Sequence, residues 1–183
     1  MTSNRPTIIL CALLLAAACG SREPAPPPDV SVTNDVLGLR LSAVPSDFEV
    51  AVNEGDRFEL VPVEETVGGR AIFSVGPEET NINLVAVVKL HQQHIEEMPE
   101  AEYKGGQELL TPYGAAFYSR GRYLAGLTDT EETNIFLKHP FEDRLLTISY
   151  QYPAGADSSV RVQQLLDILA VIEAPAPPET GTP

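Results

Sequence analysis

The chain has 183 residues and a formal net charge of −14, with 26 Asp and Glu against 12 Lys and Arg. So acidic a balance, with its basic residues scattered, excludes nucleic acid and anionic lipid headgroups as natural partners. Its two cysteines, Cys11 and Cys19, both lie in the first twenty residues, so neither a disulfide nor a cysteine-bound metal can hold together a fold built from the rest.

Residues 1–18 begin with a short polar start carrying Arg5, continue through an apolar stretch from Ile8 to Leu15, and finish in small residues. This is the three-part layout of an export signal. The apolar stretch is too short to cross a bilayer, which takes about 20 consecutive apolar residues. Leu13-Leu14-Leu15-Ala16-Ala17-Ala18-Cys19-Gly20 resembles the lipobox of bacterial lipoprotein signal peptides, where small residues directly precede a cysteine that is lipidated and becomes residue one. The family prefers Leu at the third position before the cysteine, and this chain has Ala16 there. The resemblance implies a diacylglycerol on Cys19 and an acyl chain on the new N-terminus. At about 0.8 kcal/mol per buried methylene, several chains give lasting attachment to a membrane. Gly20 rather than Asp after the cysteine implies, by the same resemblance, sorting to the outer membrane, facing the periplasm. The alternative, an ordinary secretory signal cut at Ala-x-Ala, would leave Cys19 as an exposed reactive thiol.

Residues 19–34 then read as a tether, with prolines at 24, 26, 27 and 28 and almost nothing apolar to bury. Residues 174–183 are again proline-rich and are expected to be a disordered tail. That leaves residues 35–173 as the one segment able to fold, about the modal size of a single domain.

Within it, every second residue of Leu37-Gly38-Leu39-Arg40-Leu41 is apolar, and Phe48, Val50 and Val52 repeat the alternation of a half-buried strand. Asn53-Glu54-Gly55-Asp56 reads as a hairpin turn, because Asn and Gly tolerate positive φ. Arg57 to Val63 is the predicted return strand, and Arg70 to Val75 a further one that Pro77 ends. The period then changes: Leu84, Val88, His91, Ile95 and Met98 fall on one helical stripe, which predicts an amphipathic helix over 82–98 stopped by Pro99. Four more strands are predicted at Tyr103 to Leu110, Ala115 to Tyr123, Glu132 to His139 and Arg144 to Tyr152. Ile135-Phe136-Leu137 is apolar on both faces, as in a strand covered on two sides. A closing helix over 158–173, capped by Asp157 or Ser158, would bury Val162, Leu165, Leu166, Leu169 and Ile172.

Strands, helix, strands, helix with hairpin-length connections predict an α+β domain: a mostly antiparallel sheet with two main helices on its faces. The order of elements, with Leu39-Arg40-Leu41-Ser42-Ala43-Val44-Pro45 near the start and Tyr150-Gln151-Tyr152-Pro153 before the last helix, resembles the PsbP-like fold. That resemblance implies a binding or assembly factor and carries no site residues.

No catalytic signature accompanies these elements, and no cofactor is expected. His91 and His94 lie three apart on the predicted helix with Glu97 continuing the series, weak metal candidates because His91 points into the apolar stripe. His139 would be the base of a hydrolase with Ser119 or Ser149, but no Gly-x-Ser-x-Gly elbow is present. The acidic pairs Glu64-Glu65, Glu78-Glu79, Glu96-Glu97 and Glu131-Glu132 read as solvated charge. All six tyrosines fall between 103 and 152. If Phe117 faces the core, alternation puts Tyr118, Arg120 and Arg122 together on the opposite face, a combination of residue types found at binding hot spots. The functional expectation is therefore a membrane-anchored lipoprotein with a non-catalytic periplasmic domain that binds a protein or envelope component. The alternatives are a small-ligand or metal-binding module and a hydrolase.

Overall fold

The computed structural model describes residues 31–64 and 68–174. The lipobox, Cys19, the tether as far as residue 30 and the tail beyond Ala174 lie outside the described residues. No helix among the described residues is long and apolar enough to cross a membrane.

Two short antiparallel strands come first, β1 (Val32–Asn34) and β2 (Leu39–Leu41). Between them the backbone turns through Gly38 at φ +63°, where a side chain would collide with the Glu142 carboxylate. β1 falls within the segment read as tether. It is held because Asn34 is a fixed polar residue: its Oδ1 accepts from Leu37 N at 2.9 Å, and its Nδ2 donates to Asn53 Oδ1 at 2.8 Å and Gly55 O at 3.1 Å.

The hairpin of β3 (Phe48–Glu54) and β4 (Arg57–Pro62) turns through Gly55 at φ +57°, as its sequence predicts. β5 (Arg70–Glu78) runs past Pro77 instead of ending there, because its register with a later strand shifts between Val75 and Glu78. At that irregularity a residue without an N–H breaks no ladder bond. Helix α1 (Leu84–Glu96) starts where Asn83 accepts from Ala86 N at 3.1 Å, two residues later than predicted. β6 (Glu102–Thr111), β7 (Gly114–Ala125), β8 (Thr128–Lys138) and β9 (Arg144–Pro153) form a meander. The large sheet is antiparallel throughout, in the order β3-β4-β5-β9-β8-β7-β6.

Helix α2 (Ser158–Ala170) is capped by Asp157 and stops at Val171, and β10 (Ile172–Glu173) pairs with β2 where the sequence predicts helix to residue 173. The buried stripe of α2 is also rotated from the expected one: Arg161, Gln164, Leu165, Ile168 and Leu169 are buried, while Val162 and Leu166 are half-buried. Arg161 causes the difference. Its guanidinium carbon lies 5.6 Å from the ring centres of both Tyr150 and Tyr152, and its Nη1 donates to Gln164 Oε1 at 2.9 Å. A cation held over aromatic faces can be buried where an uncompensated one could not.

The two faces of the large sheet are covered differently. On one, Phe48, Phe58, Leu60, Phe73, Ile148 and Tyr150 meet Leu165, Ile168 and Leu169 of α2 and Leu39, Leu41 and Ile172 of the small β1-β2-β10 sheet. On the other, α1 packs on β7 with β6 and β8 beside it, which leaves β9, β5, β4 and β3 without a helix over them. Ile95 is the one fully buried side chain of α1. It sits where a Cβ on Gly121 would come within 2.7 Å of Ile95 Cγ2. Gly121→Ala should therefore destabilise the domain by about 1–3 kcal/mol in urea denaturation, through overpacking. In an Ile95→Ala background the same substitution should be close to neutral, a coupling that a double-mutant cycle reads directly.

Candidate functional site

A buried polar cluster lies beneath α1. On the α1 face of the sheet, β7 contributes Ser119 and Tyr123, β8 contributes Glu132 and Asn134, β9 contributes Gln151 and β6 contributes Tyr103. His91 descends onto them from α1, its ring edge-on to Phe136 at 5.4 Å. His91 Nδ1 lies 2.9 Å from Ser119 Oγ, which is 3.1 Å from Tyr103 OH. His91 Nε2 lies 3.2 Å from Glu132 Oε1 and 2.7 Å from Asn134 Nδ2. Asn134 Nδ2 donates to Glu132 Oε1 at 2.5 Å, and Tyr123 OH and Gln151 Nε2 donate to Glu132 Oε2 at 2.7 and 3.0 Å. The hydroxyl of Ser119 rotates to serve either tautomer of His91: it accepts when the proton is on Nδ1 and donates when it is on Nε2.

Glu132 is 7% exposed. Burial by itself pushes a carboxyl upward, but hydrogen bonds from His91, Tyr123, Asn134 and Gln151 outweigh it and bring Glu132 down to about 2. Burial, together with the same carboxylate, pushes the Tyr123 phenol well above its usual range. Ser119, His91 and Glu132 thus stand in the order of a nucleophile, base and orienting acid, but Ser119 is 0% exposed and its hydroxyl is enclosed between α1 and the sheet. No substrate carbonyl can approach it with α1 in place, and what the cluster does in this arrangement is fasten the helix to the sheet.

His94 is exposed in the last turn of α1, while both ring nitrogens of His91 are turned to Ser119, Glu132 and Asn134 on the sheet. Among the described residues no group of three or more His, Cys, Asp and Glu side chains could hold a metal ion. His139 is 2% exposed with both nitrogens occupied: Nδ1 accepts from Phe141 N at 3.2 Å, so Nε2 carries the proton toward Leu37 O at 3.0 Å. Burial, above all, lowers its tendency to take a second proton. It is bonded neither to Ser119 nor to Ser149.

Tyr118, Arg120 and Arg122 share one face of β7, as alternation predicts, and that face lies over the main core. Tyr118 is half-buried against the core, Arg120 donates to Ser158 Oγ of α2 at 2.7 Å, and Arg122 forms a two-point ion pair with Asp129 across the hairpin. Glu131 and Glu132 are not solvated. They are 6% and 7% exposed on opposite faces of β8, Glu131 meeting Lys104 Nζ at 2.7 Å and Glu132 meeting the cluster under α1. One signal for this was present: Thr130-Glu131-Glu132-Thr133-Asn134 leads without a turn into Ile135-Phe136-Leu137, so polar residues on a doubly covered strand must find partners inside.

The open surface is the helix-free half of the α1 face. Arg70 and Ser74 of β5 are exposed there, with Ile72, Thr147, Ser149 and Gln151 half-buried beside them. Arg70 donates to Gln151 Oε1 from Nε at 3.2 Å and from Nη2 at 3.1 Å. Since the amide of Gln151 also donates to Glu132, one side chain joins the open face to the buried carboxylate. A hollow of about 360 Å³ at this end is lined by Arg70, Tyr123, Thr128, Thr130 and Gln151 among others.

No protein-family model and no curated protein matches the chain. Solved structures do. The Ran-binding protein Mog1p of Saccharomyces cerevisiae superposes with a TM-score of 0.54 at 12% identity, over 80% of this chain and 95% of that one. The PsbP protein CyanoP of Synechocystis gives 0.51 at 13% identity, over 86% of this chain and 99% of that one. A Bacteroides thetaiotaomicron protein gives 0.53 at 11% identity, over 81% of this chain but 49% of its own length. At such identities the likeness shows the fold alone. That fold is the PsbP-like α+β domain.

The buried groups make stability depend on pH in two ways. The depressed Glu132 stabilises the fold at neutral pH, and this contribution disappears as pH falls from about 4.5, its ordinary value, through about 2. Wild type should therefore lose about 3 kcal/mol between pH 5 and pH 2 that Glu132→Gln does not lose, as read by urea midpoints. His139 is also held low, so the unfolded chain takes up its proton first as pH falls below 6.5. Stability should decline with falling pH from that point, and His139→Gln should flatten this part of the profile.

Proposed function

We propose that the chain is a lipid-anchored, non-catalytic binding protein of the bacterial envelope. Cys19 holds it at the periplasmic face of the outer membrane, and its domain meets a protein or envelope component on the helix-free half of the large sheet. The observation that carries this reading is the contrast between the two sets of polar side chains. Ser119, His91, Glu132 and His139 are enclosed and engaged with one another or with the backbone, while Arg70, Ser74 and their neighbours face solvent on a rigid sheet. Rigid, exposed, mixed polar and apolar surface suits recognition, and it needs no ordering on binding. Mog1p, of the same fold, is a Ran-binding protein, which supports this architecture as a platform for a protein partner.

Two measurements test it. Mass spectrometry of the mature N-terminus should find acyl chains on Cys19, and an unmodified thiol there would refute the anchor. Crosslinked capture from native envelopes should recover a partner that the Arg70→Glu, Ser149→Arg double variant loses, with folding checked by circular dichroism. Capture that survives in this variant but falls in Arg120→Ala, Arg122→Ala would move the contact to the other face of β7.

A further inference from the structure

Arg70 differs from most of the basic side chains in what it is bonded to. Arg40, Arg57, Lys104, Arg122, Lys138 and Arg144 each meet an Asp or Glu carboxylate. Arg70 meets none among the described residues, and its hydrogen bonds there, from Nε and Nη2, go to the neutral Oε1 of Gln151. Its charge has no ion-pair partner. Lys89 also lacks a carboxylate but stands exposed on α1, and Arg120 is committed to Ser158.

The Arg70 guanidinium is nevertheless oriented. Ionised Glu132 can only accept, so the amide nitrogen of Gln151 must face it and the carbonyl oxygen must face Arg70, where it takes the Nε–Nη2 edge. The fork made by Nη1 and the outer N–H of Nη2 is left without an acceptor among the described residues. Two parallel donors in one plane match the two oxygens of a carboxylate.

The same guanidinium borders the open hollow of about 360 Å³, where the start of β5 (Arg70), the β7–β8 hairpin (Tyr123, Ala125, Thr130) and the end of β9 (Gln151, Pro153) converge. Its volume lies at the lower end of the roughly 300–1,000 Å³ that ligand sites occupy. Ala125 and Pro153 are exposed there, which sets an apolar wall beside the charged one. A terminal carboxylate and the side chain of the same residue branch from one Cα, so both can enter so small a hollow. With a net charge of −14, the chain repels a doubly charged phosphate more than a singly charged carboxylate.

We propose that Arg70 and this hollow bind the terminal carboxylate of a partner polypeptide, with the carboxylate on the outer fork of Arg70 and a small apolar last residue against Ala125 and Pro153. The site presupposes the reading of the Arg70 face as the docking surface, and it supplies the chemistry by which that face selects a partner.

Nuclear magnetic resonance titration of the full chain with acetyl-Ala-Ala-Ala tests the proposal, followed at the Arg70 Nε–H, the Gln151 side-chain amide and the backbone amide of Thr130. Saturable shifts are expected at these groups. Affinity should fall about tenfold or more when the peptide ends in an amide, and as much in Arg70→Gln followed at Gln151 and Thr130. Equal binding of the acid and amide forms, or no shift at these groups, would overturn the proposal. The Arg70 face would then still stand as the docking surface, because envelope capture with the Arg70→Glu, Ser149→Arg double variant decides that separately. Tighter binding of inorganic phosphate than of the peptide would overturn it in favour of a phosphorylated ligand, and equal binding of acetyl-Ala-Glu-Ala amide in favour of an acidic side chain.

Discussion

A buried carboxylate organises this domain. Glu132 sits on a strand covered on both faces, and a charge there is tolerable because side chains from three strands donate to it and His91 of α1 lies within hydrogen-bonding distance. Each donor therefore fixes the element that carries it. His91 sets the height and rotation of α1, Tyr123 comes from β7, and Gln151 ties in β9. α1 itself offers little apolar surface to the sheet, with Ile95 as its one fully buried side chain. The contact of Ile95 on Gly121 and the polar cluster thus divide the work of docking. Packing supplies close approach, and the carboxylate supplies a unique register.

The opposite face obeys a different rule. There the stabilising surface is a continuous apolar core shared by the large sheet, α2 and the small sheet, with Arg161 admitted through its two tyrosine rings. On this face Tyr118 packs against the core and Arg120 reaches Ser158 of α2, while Arg122, toward the end of β7, pairs with Asp129 at the surface. The face that remains accessible is the one where a single helix covers half a seven-stranded sheet.

How far these arrangements were legible depends on their range. Strand patterning located eight of the strands, β2 to β9, near their observed positions, since one-sided burial writes itself into every second residue. Helical periodicity did the same for α1, and a local cap at Asp157 for α2. β1 and β10 escaped because three- and two-residue strands carry too little alternation to register, and they exist through pairing with β2 from opposite ends of the domain. The site escaped for the same physical reason on a larger scale. Glu132 looks like surface charge beside Glu131, and only the registers of β7, β8 and β9 bring Ser119, Asn134 and Gln151 to it. His91 was legible as a residue that faces inward, but its partners lie 28 to 43 positions away.

Gln151 links the two halves of the α1 face. Its carbonyl oxygen takes both hydrogen bonds that Arg70 sends inward, and its amide nitrogen serves Glu132. A partner that pulls the Arg70 guanidinium outward removes donors from an oxygen that solvent can reach, which is inexpensive. A partner that displaced Gln151 itself would strip a donor from a buried carboxylate, which is not. The sheet thus presents Arg70 as its adjustable contact and keeps Gln151 as a fixed one. If the domain is also tethered to a membrane through Cys19, the local concentration of an envelope partner is already raised, so a modest polar surface of this kind is enough for specific association.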